Sequence, residues 1–169
     1  MRNFAMMVAA AAVLSACVTQ PVPQGYSGPL AKIQDTFAQR SGHAVDLFFL
    51  DSLNGKKIDN ALLETTSSNA GRGLAMDAKG FARDVPAIAS TFSLTGRTHY
   101  AAPILELTNP VYQVKGTFDF TPLSGHTYVV RGELKPDYGA VWLEDADTKA
   151  IVGNKVEIKG DISLGFMEK

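Results

Sequence analysis

Histidine and cysteine, the side chains best suited to bind zinc or act as nucleophiles, are few and scattered in this chain. There is one cysteine, and the three histidines, His43, His99 and His126, lie in separate regions without the spacing of zinc ligands. A G-x-S-x-G nucleophile motif is absent, and residues 71–73 lack the lysine and the following helix of a phosphate-binding loop. We therefore predict histidines exposed in turns, no metal site, no cofactor and no enzymatic activity.

The densest acidic cluster is residues 144–147, which contain Glu144, Asp145 and Asp147. Such carboxylates can bind Ca²⁺, which takes six to eight oxygen ligands. The segment lacks the further oxygen ligands and the glycine of a calcium-binding loop. We therefore predict a solvated hairpin turn in which aspartate side chains accept hydrogen bonds from nearby backbone amides.

Residues 64–73 form a polar stretch that could bind a ligand. Polar loops on a rigid β scaffold are frequent binding sites, and Arg72 lies in this segment. If the fold brings Arg97 and Tyr100 close to Arg72, the three side chains would form a concave ligand-binding patch, to which Arg83 could add a further cation. The alternative is a connection without a ligand.

The strands and helices that could position these residues follow an amino-terminal segment that differs from them in composition. Arg2 precedes an uncharged apolar run from Phe4 to Leu14, which is shorter than the roughly 20 residues that cross a bilayer. A positive start, a short apolar centre and small residues at its end are typical of an export signal. We assign residues 1–16 to this signal peptide.

The end of that segment, Leu14-Ser15-Ala16-Cys17, resembles the lipobox of bacterial lipoproteins. The resemblance implies cleavage before Cys17 and attachment of acyl chains to this residue, which together anchor a protein stably to a membrane. Because Val18 stands where aspartate would retain a proteobacterial lipoprotein in the inner membrane, it also implies the outer membrane, with the periplasmic side favoured over the cell surface. The alternatives are an ordinary signal peptide with an unmodified Cys17, or a buried helix.

Residues 17–29 have the composition of a tether, with Pro21, Pro23 and Pro29 among polar residues. Fully extended, residues 18–29 would span roughly 30 to 40 Å. The rest of the chain, residues 30–169, is long enough for one domain with a hydrophobic core. Its formal net charge is close to zero, since the whole chain carries −1, and this argues against nucleic acid as a partner.

The domain has the alternation of β-strands. Apolar and polar residues alternate strictly over residues 112–121 and 156–166, and short strands are predicted at 127–134 and 140–144, with Trp142 in the core and a turn at 152–155. Earlier in the chain, 45–50 and 88–100 are predicted strands, and Asn54-Gly55 predicts a hairpin turn. Residues 31–37 fit a strand or a helix, and 59–64 could be helical.

Regular strand spacing with turn residues predicts a mainly β domain, an antiparallel β-sandwich. Residues 120–130 resemble the corner of immunoglobulin-like and fibronectin-type domains, where a tyrosine hydroxyl bonds back across the turn. The resemblance gives this role to Tyr128. Transthyretin-like sandwiches have a similar strand rhythm, so both topologies stay open.

These features favour a non-enzymatic envelope lipoprotein. Its expected partners are a membrane, through the acyl chains of Cys17, and another envelope protein for which it would act as a structural or accessory subunit. One alternative is a small-ligand or glycan-binding module that uses residues 64–73 with Arg72, Arg97 and Tyr100. Another is an immunity lipoprotein that neutralises a toxin.

Overall fold

A computed structural model describes residues 19–169. The predicted signal peptide, the lipobox and Cys17 lie outside the described residues. The chain forms nine strands and two helices within this range: β1 (Leu30–Ser41), β2 (Ala44–Leu53), β3 (Lys56–Lys57), α1 (Ala61–Asn69), β4 (Phe81–Pro86), β5 (Ser90–Tyr100), α2 (Pro103–Thr108), β6 (Gln113–Phe120), β7 (Thr127–Lys135), β8 (Tyr138–Asp145) and β9 (Ile151–Lys159). The prediction of a mainly β domain is confirmed. Neither helix is long and apolar enough to cross a bilayer in this part of the chain.

The strands of residues 19–169 belong to one sheet with the order β6-β5-β2-β1-β7-β8-β9, to which β3 adds beside β2 and β4 beside β1. Neighbouring strands are antiparallel except β1 and β7, which run parallel. The predicted antiparallel sandwich is therefore not confirmed, and neither is an immunoglobulin-like fold. The long strand β1 accounts for the difference, because residues 30–35 pair with β4 while residues 36–41 pair with β2. Strand β1 thus belongs to both halves of the sheet, one formed with β2, β5 and β6 and the other with β4, β7, β8 and β9.

The sheet curls until its outer strands β6 and β9 face each other. At one end the segment after β9 closes the gap through hydrogen bonds of 3.0 Å from Gln113 N to Ile162 O and 2.8 Å from Leu164 N to Val111 O. Along the rest of the gap, Gly116 of β6 lies so close to Val156 of β9 that a Cβ atom would overlap it. The result is a nearly barrel-like sheet with one interior.

The main core fills this interior and includes the predicted corner residue. Tyr128 is buried, and its hydroxyl accepts a 2.9 Å hydrogen bond from the backbone N–H of Leu123. The ring of Tyr128 packs edge-on against Phe120 with 5.2 Å between centroids. The local corner known from immunoglobulin-like sandwiches is therefore present in a single, nearly barrel-like sheet.

Most strand predictions are confirmed, and residues 31–37, for which strand and helix both remained open, lie in strand β1. The turn between β2 and β3 has φ values of 51° at Asn54 and 75° at Gly55, as a two-residue hairpin with positive φ at both positions requires. This conformation explains the Asn-Gly pair that signalled the turn in the sequence.

The predictions for strands β8 and β9 were wrong in three respects. Residues 152–155 are not a turn but a bulge inside β9, since Val141 pairs with Val156 and Leu143 with Val152. The strand ends at Lys159, and Phe166 is exposed. Trp142 is only partly buried on the outer face, where the Nζ atom of Lys155 lies 5.1 Å from its ring. Alternation alone cannot show that β9 is the last strand in the order of the sheet, where most of its residues are exposed.

Residues 19–29, predicted as an extended tether, lie against the domain. The N–H of Thr19 donates a 3.0 Å hydrogen bond to the carbonyl of Lys57, and the carbonyl of Pro29 accepts one of 2.8 Å from Ala87. Between them, the N–H of Tyr26 bonds to Pro23 O at 3.1 Å and forms a turn. The described part of this segment is thus held at both ends.

Candidate functional site

The helix α1 occupies much of the segment that was predicted to be a polar loop. Residues 64–69 are helical, so the loop prediction was wrong for them. Their Ser and Thr content gives little helical propensity, and tertiary contacts supply the stability instead. The Asn60 side chain caps the helix by accepting hydrogen bonds from the N–H groups of Leu62 and Leu63, and the buried carboxylate of Asp35 accepts a further one of 2.9 Å from Ala61.

Helix α1 packs on the outer face of β2. Val45, Leu47 and Phe49 of β2 form a second buried cluster with Ala61, against which Leu62 packs. All residues of β2 are buried, because one face of the strand lies in the main core and the other under this cluster. The helix therefore stands above the sheet and forms one wall of a groove.

The segment that follows α1 is folded back onto the helix. The Asn69 side chain donates to the carbonyls of Thr65 and Asp77 and accepts a 2.8 Å hydrogen bond from the N–H of Asp77. The guanidinium of Arg72 forms an exposed ion pair with Asp77, with 2.7 Å between Nη1 and Oδ2. Arg72 is thus engaged with its own loop.

A groove runs between α1, α2 and the outer face of strands β2, β5 and β6. It consists of two cavities of about 410 Å³ and 360 Å³. Both are lined by Thr66, His99 and Glu106, so the cavities adjoin. Phe49, Leu62 and Leu63 add an apolar wall to the larger cavity.

Arg97 and Thr95 of β5 form the centre of the floor of the larger cavity. Sheet register places Thr95 between Phe49 and Lys115, and the guanidinium of Arg97 donates a 3.0 Å hydrogen bond from Nη1 to the side chain of Gln113. The buried hydroxyl of Thr95 has no hydrogen-bond partner among residues 19–169. A buried polar group without a partner is uncommon in folded proteins, so this hydroxyl calls for a partner from outside the described chain, such as an ordered water molecule, an ion or a ligand.

Two groups of hydrogen-bonded titratable side chains lie at opposite ends of the larger cavity. Asp51 is bound by Lys57 and Lys115, with 2.7 Å between the Nζ atom of Lys115 and Asp51 Oδ2. Burial acts to raise the pKa of Asp51, but the hydrogen bonds from the two lysines outweigh it and hold the pKa below its usual range. At the other end, His99 Nδ1 lies 2.8 Å from Glu106 Oε1. Burial acts to raise the pKa of Glu106 as well, but its interactions, led by the hydrogen bond with His99, outweigh burial and lower this pKa.

The structure does not bring the three residues of the predicted ligand-binding patch together in one cavity. Arg97 lines the larger cavity and Tyr100 the smaller one, whereas Arg72 is outside both. Tyr100 is buried, which raises its pKa, and its hydroxyl donates a 2.9 Å hydrogen bond to Pro110 O. Arg83, which could have added a further cation to the patch, is buried elsewhere in an ion pair with Asp35.

Four residues that line the groove were not predicted as site residues from the sequence: Thr95, His99, Glu106 and Lys115. His99 was predicted in an exposed turn, but it lies in β5 and its side chain is mostly buried. A signal was available, since Thr95, Arg97 and His99 alternate along one strand and therefore share its outer face. What the alternation lacks is the information that α1 and α2 cover that face.

The acidic turn after β8 has the predicted hydrogen bonds. Asp145 Oδ1 accepts bonds of 3.0 Å from the N–H of Asp147 and 2.9 Å from that of Thr148. His126 Nδ1 lies 2.9 Å from the other carboxylate oxygen. These bonds hold the pKa of Asp145 well below its usual range. Within residues 19–169 no group of three or more His, Cys, Asp or Glu side chains is arranged to hold a metal ion.

The fold and the groove define a mainly β protein with a nearly barrel-like sheet and a mixed polar and apolar site on its outer face. No family model, curated protein or solved structure matches the chain.

Proposed function

We propose that the protein is a non-enzymatic, lipid-anchored module of the cell envelope that binds a small anionic ligand in the groove. The anchor is the one that the lipobox at Cys17 implies, and the proposed location is the outer membrane. The observation that supports ligand binding is the cavity of about 410 Å³ whose floor carries Arg97 and Lys115 on either side of Thr95, a residue whose buried hydroxyl lacks a partner within the described chain.

Charge favours an anion as the ligand. Lys57, Arg97 and Lys115 line the larger cavity together with only two carboxylates, those of Asp51 and Glu106. Arg97 uses one of its N–H groups for Gln113, and the guanidinium carries five such donors. A carboxylate matches the planar fork of a guanidinium, so a carboxylate is the group expected to bind at Arg97.

The wall of the cavity adds an apolar requirement. Because Phe49, Leu62 and Leu63 face the same space, the ligand is expected to carry an apolar portion next to its carboxylate. A glycan with uronic-acid residues would satisfy the charge but not this wall. The proposed ligand class is therefore a small amphipathic carboxylate.

Titration calorimetry with aliphatic and aromatic carboxylates, their amides and a uronic-acid oligosaccharide tests this proposal. The carboxylates should bind and the matching amides should not. Arg97→Gln should weaken carboxylate binding by roughly tenfold or more, since hydrogen bonds to charged groups contribute about 1.5–3 kcal/mol. The matched control is Arg131→Gln, which removes a half-exposed arginine outside the groove. Equal binding of acids and amides, or equal effects of both variants, would contradict the proposal.

A second candidate function is binding of another envelope protein through α2. Every residue of this helix is at least partly exposed, and Ile104 and Leu107 are 59% and 45% exposed. Aliphatic side chains that are clustered on a surface helix are typical of protein contacts. A photo-crosslinking residue at position 104 should capture a partner in intact envelopes, whereas one at Glu133 of β7 should not. Recovery of the uncrosslinked monomer from both would argue against this candidate.

A further inference from the structure

The first described residues of the chain return to one end of the sheet. The hydrogen bond from Thr19 N to Lys57 O holds the chain beside the β2–β3 turn. Thr19, Gln20, Pro21 and Pro23 also line a small cavity together with residues of this hairpin, among them Leu53 and Ile58. Residues 19–23 are therefore held against the domain and do not act as a flexible spacer.

Covalent geometry then limits how far the domain can be from Cys17. Cys17 precedes Thr19 by two residues, and two residues span at most about 7 Å when fully extended. A free tether would have allowed roughly 30 to 40 Å. If Cys17 carries the acyl chains, the carbonyl of Lys57 that holds Thr19 lies within roughly 10 Å of the lipid headgroups, and the β2–β3 turn is at the same end of the sheet.

The same end of the domain exposes three large aliphatic side chains. We call it the anchor end and define it by the β2–β3 turn together with Leu30, Ile88 and Leu123, which are 37%, 47% and 59% exposed. The three residues are neighbours in the fold, because Leu30 pairs with Pro86, two residues before Ile88, and its carbonyl accepts a bond from Gly125, two residues after Leu123. The N–H of Asn54 bonds at 2.8 Å to the carbonyl of Thr91 and connects the turn to this cluster through β5.

We propose that the anchor end is a membrane-docking face, held against the leaflet into which the acyl chains of Cys17 insert. This inference rests on the proposed lipid anchor and adds an orientation to it. Two independent features support the same face, since the short connection from Cys17 reaches it and the exposed aliphatic residues can enter the interfacial region of a bilayer. The exposed Lys56 adds a cation beside the headgroups.

This orientation determines where the groove opens. Strand β5 starts at Ser90 at the anchor end and reaches Tyr100 ten residues later, a length of about 33 Å. The smaller cavity and α2 therefore lie at the end away from the leaflet, where a ligand or partner from the aqueous space can reach them. Lys57 lines the larger cavity at its membrane-proximal side.

Fluorescence quenching in vesicles tests the proposed face. Full-length lipidated protein is purified with one introduced cysteine, Lys56→Cys or Asp137→Cys, which is the only free thiol when the sulfur of Cys17 is acylated. Asp137 lies in the exposed β7–β8 turn, and β7 runs away from the anchor end between Thr127 and Lys135. Each variant receives a fluorophore and is reconstituted in vesicles of phosphatidylethanolamine and phosphatidylglycerol that contain a headgroup-attached quencher.

Quenching at position 56 should be several-fold stronger than at position 137. Equal quenching at both positions, or stronger quenching at 137, would overturn the docking face. A flexible Gly-Ser insertion of about 20 residues after Val18 should reduce the difference while the protein still floats with the vesicles, because only the aliphatic side chains then favour this face. An unchanged difference would contradict the short connection as its cause. Mass spectrometry of residue 17 separates the two proposals, because an unmodified cysteine refutes the anchor, whereas an acylated protein without the quenching difference refutes only the orientation.

Discussion

Two threonine-to-valine substitutions on the same strand offer a direct test of the groove. Thr95 and Thr98 are both buried in β5 but face opposite sides of the sheet. The hydroxyl of Thr98 donates a 2.7 Å hydrogen bond to the carboxylate of Asp46, whereas that of Thr95 lies in the groove without a partner in the described chain. Valine replaces each hydroxyl by a methyl group of similar size.

The two variants should change stability in opposite directions. An unsatisfied buried polar group costs about 1–3 kcal/mol, so Thr95→Val should raise the free energy of unfolding by about 1 kcal/mol. A hydrogen bond to a charged group contributes about 1.5–3 kcal/mol, so Thr98→Val should lower it by that amount. For a domain of this size, 1 kcal/mol corresponds to about 2–4 °C in Tm.

Urea and thermal unfolding measure the stability, and titration with the tightest carboxylate of the panel measures binding. Thr95→Val should unfold at a higher midpoint and bind the carboxylate about tenfold more weakly, the ratio that corresponds to about 1.4 kcal/mol. Thr98→Val should unfold earlier with its affinity unchanged. The reasoning is refuted if Thr95→Val destabilises the protein as much as Thr98→Val does, or if it binds the carboxylate as tightly as the parent protein.

Three further substitutions test other parts of the structure. Asp35→Asn should destabilise the protein by about 3–5 kcal/mol in urea unfolding, because it leaves the buried guanidinium of Arg83 without its counter-charge; a loss under 1 kcal/mol would contradict this. The pKa of Glu106 is lowered from 4.5 in the folded state, so its contribution to stability is present above that value and is lost as the pH falls below it; Glu106→Gln should flatten the pH dependence of Tm in this range, and an unchanged profile would count against it. Gly116→Ala should lower stability by about 1–3 kcal/mol through overpacking against β9, whereas Gly42→Ala, where a Cβ meets no described atom within 4 Å, should have little effect on Tm; similar losses in both would contradict the close approach of the sheet edges.

Local signals in the sequence were reliable where backbone conformation depends on neighbouring residues. Positive φ at two successive positions is the reason that Asn54-Gly55 forms a hairpin turn, and Asp145 hydrogen-bonds amides two and three residues away. The Tyr128 corner is a similar case, since its hydroxyl reaches only five residues back. Such features were predicted correctly because their partners are close in sequence.

Features that depend on distant partners were predicted poorly. Residues 64–69 resemble a loop in composition, and they are helical because Asn60 and the distant Asp35 bind the helix start while Asn69 binds the following segment. Trp142 appeared to be a core residue because both its neighbours are apolar, but its side of the sheet is the outer one. Propensity and alternation describe what a segment can do alone, and tertiary contacts decide among the possibilities.

The sequence by itself determined the β class of the domain, most of its strands, its tight turns and the lipobox resemblance that ends at Cys17, because each of these depends on residues within a few positions of one another. Only the tertiary structure decided that β1 bends from one half of the sheet to the other, that the sheet curls until β6 meets β9, and that α1 and α2 enclose Thr95 and Arg97 in a groove. These arrangements depend on contacts between segments that are tens of residues apart. The alternation of side chains along a strand shows which residues share a face, but it does not show which other elements cover that face.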